Sequence, residues 1–456
     1  MQFKKSDFGT NFKWGVAMAA FQVEGALQED GRGASIWDSF QYVKGKIKTG
    51  ENAETACDFY HTYEHWAEVA KNLNFKDYGI SLAWPRILPE GIGKINQKGI
   101  DHYHKVIDNL LEHGLDPLLT IYHWDLPQTL QNKGGWTNRE ILNWFSEYTD
   151  LVTRTYGDKV KNWKVLNEPS AFTGFGHMTG EHAPGKTGVH NFLPAAHHAN
   201  LCQAEGGRIA RINVKNGFIG TSFATFAIEP FDEQAINVNA ARRTDATINR
   251  MFIEPLVGMG YPYKDFPAMK LIELFMKNGD DKRIQFDFDY IGIQYYCRLS
   301  MAFNLMPPLA FAAEVPATKR GVGINNMGFE IYPQGMYDVL KRYSAYPNVK
   351  KLMVTECGVC LDDIVLDGEV NDDTRVQFYR DYMGQMLRAM NEGVDVAGFY
   401  CWTLMDNFEW WEGYRARFGL VYVDHATQQT LLKKSGRWLR DFLKVVEKED
   451  FAYPNH

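Results

Sequence analysis

The sequence predicts an α/β fold: a (β/α)8 TIM barrel, one domain over residues 1–456, with its active site at the C-terminal ends of the strands. Three observations predict it. Eight short apolar runs alternate with longer amphipathic stretches, the pattern of repeated βα units. Polar and aromatic residues crowd the ends of those runs, where a barrel of this kind exposes its mouth. The glycine turn that usually marks a doubly wound dinucleotide-binding sheet is missing, since G-x-G-x-x-G does not occur.

The first apolar run, 12–17, is followed within a few residues by Gln22 and Glu24. The second is 77–83. The third, 117–123, ends at His123-Trp124. The fourth, 163–167, stops at Glu168, and Pro169 follows, which cannot donate into a strand ladder. The fifth is 218–223. The sixth, 290–296, holds Gln294 and ends in Tyr295-Tyr296. The seventh, 352–355, runs into Glu356-Cys357-Gly358, and the eighth, 396–402, ends at Trp402. Helical periodicity falls between them at 64–72, 100–113, 141–156, 196–213, 375–392 and 437–447. Thr137-Asn138-Arg139-Glu140 has the spacing of a capping box opening the helix over 141–156. The connection 298–329, rich in Met, Pro, Ala and Gly, is too long for a plain βα turn and reads as an active-site loop.

Composition narrows the function. A net charge of −7 leaves no basic surplus to neutralise phosphates, so no nucleic-acid partner is expected. No run approaches the ~20 apolar residues of a membrane span, and no apolar leader segment opens the chain, so a cytoplasmic protein is expected. With 12 Trp and 23 Tyr the chain is rich in rings that pair a flat apolar face with a polar edge, which suits a sugar. The six Cys are scattered, several in apolar runs, and read as reduced buried thiols. Cys357-Gly358-Val359-Cys360 is formally C-x-x-C. No second pair with zinc spacing accompanies it, and His197-His198 lie far off in sequence, so no metal or cofactor is expected and a thiol-redox or metal protein is the weakest alternative. Oligomeric state is not legible.

Two apolar runs that each stop at a glutamate carry the chemistry. Either alone would be an ordinary strand-end residue. Glu168 and Glu356, brought to the mouth of one barrel, would face each other as the two carboxylates usual in sugar hydrolysis do.

The chain resembles the family 1 glycoside hydrolases, the β-glucosidase family, from end to end. The match rests on Phe12-Lys13-Trp14-Gly15, Phe21-Gln22-Val23-Glu24-Gly25, Ser35-Ile36-Trp37-Asp38, Trp84-Pro85-Arg86-Ile87 and Tyr122-His123-Trp124-Asp125-Leu126-Pro127. It continues through Asn167-Glu168-Pro169, His182-Ala183-Pro184-Gly185, Val354-Thr355-Glu356 and the run from Trp402 to Trp410. The resemblance implies a retaining β-glycosidase acting on β-glucosides or short β-linked oligosaccharides, with β-galactosides and β-fucosides as further candidates. It implies that Glu168 is the general acid/base and Glu356 the nucleophile. Gln22 and Glu409 would grip the outer hydroxyls of the first sugar, helped by His123 and Trp410. Asn167 would hold the 2-hydroxyl, Tyr296 would touch the nucleophile, and Trp402 would lie beneath the ring. Trp124, Gln294 and Phe418 complete the implied substrate-binding set. A carboxylate at 409 would repel a 6-phosphate, which favours unphosphorylated sugars.

Three positions depart from the family pattern. Tyr78-Gly79-Ile80-Ser81 carries Gly79 where an arginine normally contacts the nucleophile. Cys357 stands where an asparagine follows the nucleophile, and Gln294 replaces an asparagine. Loss of a neighbouring cation should raise the pKa of Glu356. It should also open a cavity at Gly79 and weaken hydrolysis or shift the balance between water and sugar acceptors. A sugar-binding barrel with impaired turnover is therefore the alternative.

Overall fold

A computed structural model describes residues 3–305 and 310–444. Eight strands form the centre: β1 (Lys13–Met18), β2 (Asp77–Ser81), β3 (Asp116–Tyr122), β4 (Asn162–Asn167), β5 (Phe218–Pro230), β6 (Tyr290–Phe303), β7 (Leu352–Cys357) and β8 (Val396–Trp402). They pair in parallel in the order β5-β4-β3-β2-β1-β8-β7-β6, and a β5–β6 pairing closes the ring. All eight expected strands form; β5 and β6 run seven residues past their expected ends, and the others shift by at most two.

Crossover helices lie between successive strands: α1 (Phe59–Asn72), α2 (Gln97–Glu112), α3 (Ile141–Tyr156), the short α4 (Pro169–His177), α5 (Val189–Asn213), α6 (Ala235–Asp245), α7 (Gln334–Ser344) and α8 (Asp373–Asn391), with α9 (Lys434–Leu443) after β8. In α2, Ile100, Tyr103, Val106, Ile107 and Leu110 recur on one face, and all five are buried. The expected helix over 437–447 starts three residues earlier, and its last three positions lie outside the described residues. The capping box at Thr137 does not form. The Thr137 hydroxyl donates to the Gly134 carbonyl instead, and Asn138 Oδ1 accepts from the Glu140 amide in a local turn that competes with the cap.

The 298–329 connection is also more ordered than a loop. β6 runs on to Phe303 and pairs antiparallel with Ala312–Glu314, while residues 306–309 lie outside the described part. Arg298 fixes this extension through Glu330 and Glu229.

Large rings facing glycines fill the barrel interior. A Cβ on Gly15 would lie 2.4 Å from the Tyr400 ring, and one on Gly220 2.3 Å from the Tyr290 ring, so only glycine fits opposite these tyrosines. At the closed end the Tyr400 hydroxyl donates to Asp77, which also pairs with Lys13. Above the tyrosines the interior turns polar, and there the candidate site begins.

Candidate active site

Glu168 follows β4 and precedes α4. Its backbone is left-handed (φ 50°), and Pro169 supplies the first helical residue, so the chain turns sharply there. The Glu168 amide donates to the Ser222 carbonyl of β5 at 2.9 Å, which anchors the turn. Its carboxyl is almost fully buried. Burial raises its pKa well above the ordinary range, and the negative Glu356 raises it further, while Lys164 works the other way.

Glu356 sits on β7, and its two oxygens have separate partners. Oε2 accepts from the Tyr296 hydroxyl at 3.0 Å, and Oε1 faces Lys164 Nζ at 3.3 Å. Burial raises its pKa, as the sequence led one to expect, against the opposing pull of Lys164 and Tyr296. The expected reason does not hold. A cation does stand beside Glu356, and desolvation causes the rise.

Lys164 went unrecognised in the sequence because it is the second residue of the fourth run, where a lysine reads as a solvated strand end. The available signal was its place between the apolar Trp163 and Val165, which the structure buries fully. A buried lysine in such a strand needs an anion.

A chain of hydrogen bonds leads outward from Lys164. Asn167 Oδ1 accepts from Lys164 Nζ at 2.5 Å and from Gln294 Nε2 at 2.7 Å. With its oxygen so engaged, the Asn167 amide nitrogen faces His123 Nε2 at 3.0 Å. His123 must accept there, so its proton resides on Nδ1. Burial and then Lys164 hold the His123 pKa well below the ordinary value, so the ring is neutral. On the other side, Gln22 Nε2 donates to Glu409 Oε2 at 3.0 Å, and also to the Phe408 carbonyl and Asn407 Oδ1. Burial raises Glu409 to about 8, with Gln22 opposing and Glu356 adding to the rise. Gln22 Oε1, His123 Nδ1 and Gln294 Oε1 are buried without a partner inside the protein. Three unpaired polar atoms around two carboxyls make a surface suited to a polyhydroxyl ligand.

Aromatic side chains wall this surface. Trp410 packs 4.7 Å from both Trp37 and Trp124 and 5.9 Å from His123. Trp124 Nε1 donates to the Asn167 carbonyl, which locks the third strand end to the fourth. Trp402 lies 6.0 Å from His123, and Phe418 meets the Tyr296 ring edge-on at 6.1 Å.

Gly79 lies on the strand face shared by Asp77 and Ser81, the side toward the barrel interior. Cys357 is different. It is fully buried and lies opposite Cys401 in the β7–β8 pairing. Burial and Cys401 push its thiol well above the ordinary value, and Cys360 is pushed up to about 12, chiefly by burial. Both are protonated thiols. Among the described residues no three His, Cys, Asp or Glu side chains group so as to hold a metal ion, and no helix is long and apolar enough to cross a membrane.

Residues 4–448 match the family model described as glycosyl hydrolase family 1. Beta-glucosidase A of Thermotoga maritima is 40% identical over 454 residues, covering 99% of this chain and 100% of the relative. The 1,4-beta-D-glucan glucohydrolase of Thermotoga neapolitana is 39% identical, over 96% of this chain and 98% of that protein. The solved structure of the Thermotoga maritima family 1 β-glucosidase superposes with a TM-score of 0.91 at 39% identity, covering 95% of this chain and 97% of that one. The Thermotoga maritima β-glucosidase in complex with glucoimidazole gives 0.90 at the same identity, over 95% and 98%. The carboxylate pair thus stands in a barrel whose relatives are β-glucosidases over nearly their whole length, and the chain belongs to glycosyl hydrolase family 1.

Proposed function

We propose that this enzyme is a retaining β-glucosidase in which Glu356 is the nucleophile and Glu168 the general acid/base. The observation that carries the assignment is the difference in partners between the two carboxyls. Glu356 has a cation and a phenol to stabilise its charge. The raised pKa of Glu168 keeps it protonated at neutral pH, ready to donate.

In the first step Glu356 attacks the anomeric carbon while Glu168 protonates the leaving oxygen. In the second, Glu168, now ionised, takes a proton from water, and the water oxygen displaces Glu356 from the sugar. Asn167 would hold the hydroxyl next to the reacting carbon, and Gln22 and Glu409, helped by His123, those at the far edge. Trp402 and Trp410 would offer ring faces, with Trp124, Gln294 and Phe418 shaping the wall. Glu409 supports a preference for unphosphorylated sugars.

A chromogenic β-glucoside tests the roles. Glu356→Gln should lower kcat by at least about 10³-fold, and Glu168→Gln by about 10²–10⁴-fold, with the smaller losses on aglycones that leave without protonation. Proton NMR at early times should show β-glucose forming first. Turnover that survives Glu356→Gln, or α-glucose as the first product, sinks the assignment.

A further inference from the structure

Lys164 contacts one carboxyl and acts on the other through its charge. It faces Glu356 at 3.3 Å, and its field also lowers the Glu168 pKa. In the free enzyme the negative charge belongs to Glu356 and the proton to Glu168. After the first step Glu356 is an uncharged ester and Glu168 has lost its proton to the leaving group. The pair carries one negative charge in both states, on different residues, and one fixed lysine can balance both.

The barrel geometry explains how a lysine reaches this spot. Gly79 of β2 pairs with Leu118 of β3, and Leu118 pairs with Asn162 of β4. In an eight-stranded barrel of shear 8, equal heights advance about one residue per strand, and alternate strands supply one layer of side chains. Lys164, two residues beyond Asn162, therefore shares a layer with Gly79. The β4–β5 and β5–β6 registers place Gly292 in the same layer. Ser222 and Thr355 fill the space beside Gly292, so the room for a long side chain reaching toward the mouth lies on the Gly79 side.

We propose that Lys164 is the stationary counter-ion of this site, serving Glu356 before glycosyl transfer and Glu168 after it, and that Gly79 makes room for it. The charge missing from the second strand has moved to the fourth. Lys164 is a positioning residue, since it also holds Asn167 Oδ1 and so sets the donors and acceptors of Asn167 and His123. The inference rests on the glycosidase reading and refines it.

The test is the pH profile of kcat/KM. Removing a cation raises both carboxyl pKa values, so Lys164→Met should move the acidic and basic limbs together to higher pH, by about 1 unit or more. Rates at the new optimum should fall at least tenfold. Lys164→Gln, which keeps length and polarity, is the companion if the methionine variant does not fold. The double variant Gly79→Arg/Lys164→Met should bring both limbs back toward their original positions. Gly79→Arg alone should not raise turnover, because it adds a second cation to a site already balanced.

A wild type that hydrolyses β-glucosides in a Glu356-dependent way, combined with unmoved limbs in both Lys164 variants, overturns the counter-ion and leaves the glycosidase standing. Absence of hydrolysis in the wild type overturns the glycosidase reading instead. The Glu356 titration, followed by carbon-13 NMR of its carboxyl, then still decides the counter-ion: an unshifted titration in Lys164→Met overturns it, and an upward shift supports it.

Discussion

Glu409, the proposed contact for the far edge of the sugar, should make specificity depend on pH. Burial holds its pKa at about 8, so its charge is only partly present at neutral pH and grows as the medium turns alkaline. A sugar 6-phosphate is already dianionic by about pH 7, since its second pKa lies near 6. Repulsion between the two should therefore strengthen from pH 7 to pH 9. Two unit charges roughly 5 Å apart, at an effective dielectric of about 20, repel by about 3 kcal/mol. The ratio of kcat/KM for a β-glucoside over its 6-phosphate should rise about tenfold or more across that interval, and Glu409→Gln should flatten it. A flat ratio in the wild type would show that Glu409 does not discriminate by charge.

At the scale of elements, one carboxylate ties together segments that the barrel strands do not join. Asp280 accepts from Arg139 just before α3, from His197 on α5 and from the Lys277 amide. Burial works against its charge, but these donors outweigh it and hold its pKa below the ordinary carboxylate range. A depressed folded-state pKa contributes stability that is present above the unfolded value of about 3.9 and is lost as pH falls toward the folded one. Asp280→Asn should therefore cost about 2–4 kcal/mol at pH 7, less than a fully buried pair would because Arg139 is partly exposed. The gap between wild type and variant in urea unfolding should narrow below about pH 4. A gap that holds steady down to pH 2 would count against the assignment. Arg139 and His197 also mark the limit of what sequence could reveal. The eight strands were legible because each is a β-rich apolar run bounded by breakers, and α3 because its periodicity is strong. The α6 segment, Ala235–Asp245, has little apolar stripe, and its burial comes from lying against β5 and β6. The glutamates of the site were legible from motif. Lys164 was not, because its meaning depends on Gly79 standing in the same layer, and layers arise only from register.

Across the whole molecule, the run that carries the proposed sugar contact Glu409 is tied to the last described helix. Lys433, at the start of α9, is fully buried and donates to Asp363 at 2.5 Å and Asp406 at 2.6 Å. Arg375 of α8 faces Asp363 and Asp372, and Arg417 faces Asp406. This network links the loop after β7, the last two helices and the run Asp406-Asn407-Phe408-Glu409. Asp406 also accepts from the Gly419 amide, one residue from Phe418 on the site wall. Burial disfavours the Asp406 charge, but Lys433 and Arg417 more than offset it, so the carboxylate stays ionised. Lys433→Met would leave Asp363 and Asp406 without their shared cation, while Arg375 and Arg417 still face them. The expected loss is therefore about 3 kcal/mol, the lower end for breaking a buried pair. Because Asp406 fixes the backbone that presents Glu409, KM for a β-glucoside should rise while the limbs of the pH profile stay in place. Lys433 touches neither Glu168 nor Glu356, so a shifted limb would mean that the network acts on the carboxyl pair itself. An unchanged KM with lowered stability would mean that it holds the fold and not the grip.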